Sequence, residues 1–288
     1  MNNPHIAHIL PEDSELERLA TGFQFTEGPV WNASGGFLLF SDIRANRIYK
    51  WSPTNGVTIF REPSGNSNGL TYDKEMRLII CEHSNRRLTR MEKDDASTVL
   101  IERFRNKRLN SPNDVVVKSN GMIYFTDPPY CITPEEQELS FQGVYFIDPK
   151  NKKVILLKDD FDRPNGISFS PDETVLYIAD SSIKRRHIRA FDVKSDGTIR
   201  NNRVFSEIRS DLPGNPDGMK VDIEGNLYVA AAGGLWVFSK NGDHLGTIRT
   251  PEQPANCAWG DTDWKSLFIT ARTSVYRIKL GVSGIKTS

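Results

Sequence analysis

The sequence predicts an all-β protein, a six-bladed β-propeller whose ring is closed by an N-terminal strand joining the last blade. Three observations predict it. Short β-rich runs punctuated by turn residues fill the chain, while helical periodicity is nearly absent. One unit recurs six times, opening on a polar residue that is usually followed by Gly. After the sixth opening only three strands fit before the chain ends, which leaves the N-terminal segment to supply a fourth.

Taken in chain order, Glu12–Leu19 has helix-like spacing and Glu17–Gln24 is the candidate closing strand. Strand runs follow at Phe37–Phe40, Arg47–Trp51, Leu78–Cys81, Val115–Val117 and Met122–Phe125. After a second helix-like stretch at Pro134–Leu139 come Val144–Ile147, Val154–Lys158, Val175–Ala179 and Ile188–Val193. The last are Leu227–Ala231, Leu235–Ser239, Leu267–Thr270 and Val275–Leu280. Asn55-Gly56, Asn120-Gly121, Pro171-Asp172, Asp196-Gly197, Glu224-Gly225 and Asn241-Gly242 separate them as turns. The six openings are Glu27-Gly28, Asn68-Gly69, Asn113-Asp114, Asn165-Gly166, Asp217-Gly218 and Asn256-Cys257, spaced 41, 45, 52, 52 and 39 residues apart. Repeats of about 40–50 residues with four strands each are propeller blades. Sealing the ring with both chain ends removes an exposed sheet edge. No linker or shift in composition interrupts the chain, so residues 1–288 read as one domain.

Composition narrows the function. Thirty-seven basic and 37 acidic residues give the 288-residue chain a formal net charge of zero, which offers no general attraction to nucleic acid or an anionic membrane. No apolar run approaches the ~18 residues of a membrane span. Fifteen Phe, five Trp and eight Tyr are too many aromatics for a disordered chain. The N-terminal stretch lacks the basic and apolar regions of a signal peptide, so the chain reads as cytoplasmic. Cys81, Cys131 and Cys257 are far apart and odd in number, and read as buried, reduced thiols rather than a zinc or redox motif. GxSxG, HExxH, P-loop, GxGxxG and EF-hand motifs are all missing. The oligomeric state is not readable.

In a propeller the first strand of each blade lines the central channel, so equivalent positions form a ring at its mouth. Here the ring holds Glu27, Asn68, Asn113, Asn165, Asp217 and Asn256, every one with a side-chain oxygen. Asn-Gly and Asp-Gly are also common turn dipeptides. No turn requires the Glu, however, and Asn113 is followed by Asp114. Converging oxygen donors without His or Cys suit a hard cation such as Ca²⁺ rather than zinc.

These residues lie in TEGPVW (Thr26–Trp31), SNGLTYD (Ser67–Asp73), CEHSNRRLTR (Cys81–Arg90), SPNDVVV (Ser111–Val117), YFTDPPY (Tyr124–Tyr130), RPNGISFSPDETVLYIADS (Arg163–Ser181) and GNPDGMKVD (Gly214–Asp222). As an ordered set they resemble the SMP-30/gluconolactonase/luciferin-regenerating-enzyme family of calcium-dependent six-bladed propellers, and look most like its gluconolactonase branch. The resemblance implies Ca²⁺ ligands at Glu27, Asn113, Asn165 and Asp217. It implies hydrolysis of a sugar lactone such as D-glucono-1,5-lactone to the aldonic acid, with other divalent ions accepted. Asp217 is the implied general base, with Asp114 as the alternative. Asn68 and Asn256 are left to support the ligands or to touch substrate. Where the animal branch has an Arg two residues before its third-blade Asn, this chain has Ser111, and Tyr130 replaces an acidic contact that the branch has a little further on.

Around the ring, His83 is a candidate substrate contact or proton shuttle, or else a packed His. Tyr130 and Asp127 are candidates to line the pocket, Asp127 equally to hold a turn. The candidate substrate contacts are therefore Asn113, His83, Tyr130 and Asn68. Arg86-Arg87 and Lys184-Arg185-Arg186 read as solvated blade edges, and His187 and His244 as solvent-facing. Two other functions compete with the lactonase. A related propeller hydrolase acting on phosphotriesters would share the four-ligand site, and a non-catalytic scaffold would not need one.

Overall fold

The computed structural model describes residues 6–286. Six four-stranded antiparallel sheets follow one another around a ring. The innermost strands are Thr26–Asn32, Ser67–Tyr72, Val115–Val117, Pro164–Phe169, Met219–Val221 and Asn256–Gly260. Each of these touches its neighbours, and the first touches the last, so the ring is closed. A short hairpin, Arg103–Phe104 with Lys107–Arg108, lies between blades two and three.

Blades pack face to face, so their middle strands are covered on both sides. Leu78–Glu82, Ile123–Asp127 and Leu227–Ala231 are buried at every position. They therefore read as continuous apolar runs rather than alternating ones. The outermost strands are wet, as in Ile199–Glu207. Aromatic layers fill the wedges between blades. Trp31 of blade one stacks on Phe268 of blade six with ring centroids 5.2 Å apart, a contact worth about 0.5–1.5 kcal/mol beyond its buried area.

The sixth blade is completed by Leu16–Thr21 pairing antiparallel with Ser274–Lys279. The helix-like spacing of Glu12–Leu19 is thus a strand entrance. A bulge between Arg18 and Ala20 lets Leu16 and Leu19, three residues apart, both pack on the core, which mimics helical periodicity. Pro134–Leu139 is likewise no helix. It makes isolated turns, with Glu136 N–H on the Thr133 carbonyl and Thr133 N–H on the Glu136 carboxylate, and ends where Leu139 plugs into the core of blades two and three. Among the described residues no helix is long and apolar enough to cross a membrane.

Inner strands start at one face of the ring, which therefore also carries the loops joining second to third strands. The far end of the channel holds a cavity of about 520 Å³ lined by Val30, Leu70, Val115, Ile167, Val221 and Ala258. These residues lie further along the inner strands than the polar openings, so that cavity is not the ring of oxygen donors.

Candidate metal centre at the channel mouth

Two repeating devices hold the openings in place. The first is an acid at the end of the second strand. In blades one, three and four this is Asp42, Asp127 and Asp180, all buried. Asp42 accepts from Gln24 N–H at 2.9 Å and Phe25 N–H at 3.0 Å. Asp127 accepts from Asn110 N–H at 2.8 Å, and Asp180 from Asp162 N–H at 3.1 Å and Arg163 N–H at 3.0 Å. Each clamps the backbone two or three residues before Glu27, Asn113 and Asn165. Asp127 therefore holds the entry loop. Burial pushes its pKa up to about 7.

The second device is the glycine. A Cβ on Gly28 would collide with the Asn68 carbonyl, and one on Gly166 with the Asp217 carbonyl. On Gly69 it would lie 2.6 Å from the Asn113 carbonyl oxygen, and on Gly218 it would collide with the Asn256 side chain. The glycine of each pair is the seat for the next blade's opening residue. These dipeptides are not turns. They are blade-to-blade contacts, and the close approach explains the Gly.

The openings converge. Glu27, Asn68, Asn113, Asn165 and Asn256 are buried. Asn165 Nδ2 donates to Ser181 Oγ at 3.0 Å and lies 3.4 Å from Tyr130 Oη, while its side chain also bonds Asp217. Ser181 Oγ donates in turn to the Pro216 carbonyl, just before Asp217. Glu27 Oε2 accepts from Gly28 N–H at 2.6 Å, and Asn256 bonds both Glu27 and Asp114. Asn68 Nδ2 is 3.3 Å from His83 Nε2. Asn113 is tied in by its backbone, N–H to the Thr126 carbonyl and C=O from Gly69 N–H.

Three carboxylates thus share the channel mouth. Burial raises the pKa of Glu27 to about 7, with the Asp114 charge adding to it. Burial, then the charges of Glu27 and Asp114, hold Asp217 well above the usual range. Asp114 is raised by burial and partly relieved by Lys220. Asp217 is half-buried as a residue, but its Oδ1 is sealed from solvent with no donor, as is Asp114 Oδ2. Unsatisfied buried carboxylate oxygens facing other acids are costly unless a cation completes them. Among the described residues no three His, Cys, Asp or Glu side chains form a metal group alone. A cation here would need the amides of Asn113 and Asn165 beside Glu27 and Asp217, and that donor set is the hard-oxygen kind a divalent ion accepts.

A model of the SMP-30/Gluconolactonase/LRE-like region matches residues 25–273. The chain belongs to this family. A gluconolactonase of Zymomonas mobilis is 34% identical over 98% of this chain and 86% of its own length. A regucalcin of Xenopus laevis is 26% identical over 86% of this chain and 83% of its own. The solved structure of a Xanthomonas campestris gluconolactonase, described as important in glucose secondary metabolic pathways, superposes with a TM-score of 0.88 at 33% identity, covering 96% of this chain and 93% of that one.

Several readings change at this SMP-30/gluconolactonase-type site. Cys81 and Cys257 are buried, but Cys131 is exposed, because it sits in the loop of residues 128–142 that crosses the mouth. Arg86 is not a solvated edge. It is 5% exposed, and its Nε donates to the Leu109 carbonyl at 2.7 Å and its Nη1 to the Glu136 carbonyl at 2.9 Å. Arg186 clasps the Ser210 and Gly214 carbonyls in the same way two blade boundaries further on. Arg87 pairs with the buried Glu82 at 2.8 Å. His83 is buried, and desolvation lowers its pKa to about 4, so it is a neutral hydrogen-bonding group at neutral pH. His187 is half-buried, whereas His244 is exposed and stacked 4.2 Å from the Trp236 ring. Sequence reasoning missed Lys220, whose charge reaches Glu27 and Asp114, and Ser181. A lone Lys in an inner strand was the only available signal for the first.

Proposed function

We propose that this lactone hydrolase of the gluconolactonase type works with a divalent cation, Ca²⁺, held by Glu27, Asn113, Asn165 and Asp217. We propose also that it opens sugar lactones of the D-glucono-1,5-lactone kind to the aldonic acid. The observation that carries this reading is the pair of buried oxygens without a hydrogen-bond partner, Asp217 Oδ1 and Asp114 Oδ2, on acids whose charges are felt by Glu27. A bound cation would supply Lewis-acid stabilisation of the negative charge that grows on the lactone carbonyl oxygen.

The chain's own residues do the rest. Asp217, with a pKa raised by burial and by its acidic neighbours, is a suitable acceptor for the proton of an attacking water. Water oxygen bonds to the carbonyl carbon, the ring C–O bond breaks, and the proton ends on the released hydroxyl. Asp114 and Lys220 set the charge balance beneath. Tyr130 and the Asn68–His83 pair offer hydroxyl, amide and imidazole groups to the sugar hydroxyls at the mouth. Neutral His83 can serve there without adding charge.

Calorimetric titration with Ca²⁺, together with turnover on a panel of sugar lactones and phosphotriesters, tests the reading. One tight site and lactone turnover are expected, both lost in Glu27→Ala. Metal binding with higher kcat/KM on a phosphotriester would replace the lactonase reading. No binding and no turnover would favour a scaffold.

A further inference from the structure

We propose that the substrate is an anionic sugar lactone, bearing a carboxylate or phosphate at the end remote from the ring carbonyl, and that Arg163 receives that group while Arg44, across the ring, adds to the field that attracts it. This rests on the lactonase reading and names its substrate class. Four segments meet at the mouth. Blade three sends in Tyr130 and Cys131. Tyr130 Oη lies 3.4 Å from Asn165 Nδ2 in blade four, and Cys131 Sγ lies 3.6 Å from His83 Nδ1 in blade two. The Arg163 guanidinium, two residues before Asn165, sits over the Tyr130 ring at 5.7 Å. The Arg44 guanidinium sits over the Phe25 ring at 5.6 Å, two residues before Glu27, and its charge acts on the Cys131 thiol.

Both arginines are exposed. Among the described residues neither guanidinium has an acid or carbonyl partner. Arg47 and Arg185 on the same face do, with Glu62 at 2.9 Å and Asp180 at 3.4 Å. An aromatic face beneath a guanidinium orients it and leaves its N–H edge free for a planar or tetrahedral oxyanion. The three ring acids are balanced by Lys220 and a divalent cation together, so the two guanidiniums, which have no acid partner of their own, are left to attract an anion. A neutral lactone would leave both unused.

The test compares kcat/KM for D-glucono-1,5-lactone, a D-glucaric acid lactone and 6-phospho-D-glucono-1,5-lactone, at low and high salt. One anionic lactone is expected to exceed the neutral one by about tenfold or more, as a charge-assisted contact would give. The advantage should shrink with salt. Whether the carboxylate or the phosphate wins identifies the group. Arg163→Gln is expected to cut the anionic-to-neutral ratio about tenfold and Arg44→Gln to cut it by less, with Arg163→Lys retaining more of it than Arg163→Gln. Inhibition should be tighter with D-glucarate than with D-gluconate, and this difference should vanish in Arg163→Gln. A neutral lactone turned over as well as the anionic ones, or a ratio unmoved by both Gln variants, overturns the inference and leaves the lactonase reading standing. No turnover of any of the three overturns both.

Discussion

Replacing Glu27 by Gln removes a buried acid while keeping its shape and its acceptor for Gly28 N–H. The carboxyl is raised by burial from its ordinary value of 4.5 to about 7. The folded state therefore holds the proton more tightly than the unfolded chain does. The stability that Glu27 contributes to the cation-free protein falls as pH rises from about 4.5 to about 7, and the loss is complete above that. A displacement of this size corresponds to about 3 kcal/mol. Glu27→Gln cannot ionise, so in chelator-treated protein it should match wild type near pH 4.5 and exceed it by about 3 kcal/mol at pH 8. For a chain of this length that is about 5 °C in Tm. The assay is urea unfolding of chelator-treated wild type and variant at both pH values, then with Ca²⁺ restored. Restoring the ion should stabilise wild type by mass action and leave the variant little changed. A variant no more stable than wild type at pH 8, or a difference between variant and wild type that does not change with pH, would refute the reasoning.

Three further outcomes are expected. Asp217→Asn should lower lactone kcat/KM by about a hundredfold or more, the loss of a base and a charged ligand together, read in a steady-state assay with the fold checked by circular dichroism. Gly166→Ala drives a Cβ into the Asp217 carbonyl. It should cost about 1–3 kcal/mol in urea unfolding and depress turnover, whereas Gly36→Ala, with open space around it, should leave turnover intact. His83 is lowered by burial from 6.5 to about 4, so its contribution has the opposite sign to that of Glu27. Stability is full above about 6.5 and is lost as pH falls toward 4. His83→Gln should remove about 3 kcal/mol of that acid sensitivity, visible as a stability that rises relative to wild type by about that amount as pH falls from 6.5 to 4.

The blade openings could be read from the sequence because each one carries a geometric constraint. The residue after the opening one must be small enough to seat the next blade, so Gly recurs beside the polar residue and the repeat stands out. Asn113-Asp114 breaks the pattern because the second position there is itself an acid of the site. What could not be read depends on partners far away in sequence. Arg86 looks like a surface charge until the Leu109 and Glu136 carbonyls close on it. Asp42, Asp127 and Asp180 look like strand-end polar residues until the entry loops fold back onto them. The closing strand was visible only approximately, because the bulge at Arg18–Ala20 breaks its alternation. Exposure of Cys131 follows from the long loop of blade three, which no periodicity announces.

The central claim is that these ring residues hold a divalent ion on which lactone opening depends. The most direct test is a pH-indicator assay on D-glucono-1,5-lactone, corrected for spontaneous hydrolysis, with one preparation stripped by EDTA and then given Ca²⁺. Wild type should fall silent and recover, and Glu27→Gln should stay silent in both states. Full activity in the stripped protein, or recovery in Glu27→Gln equal to that of wild type, would contradict the account.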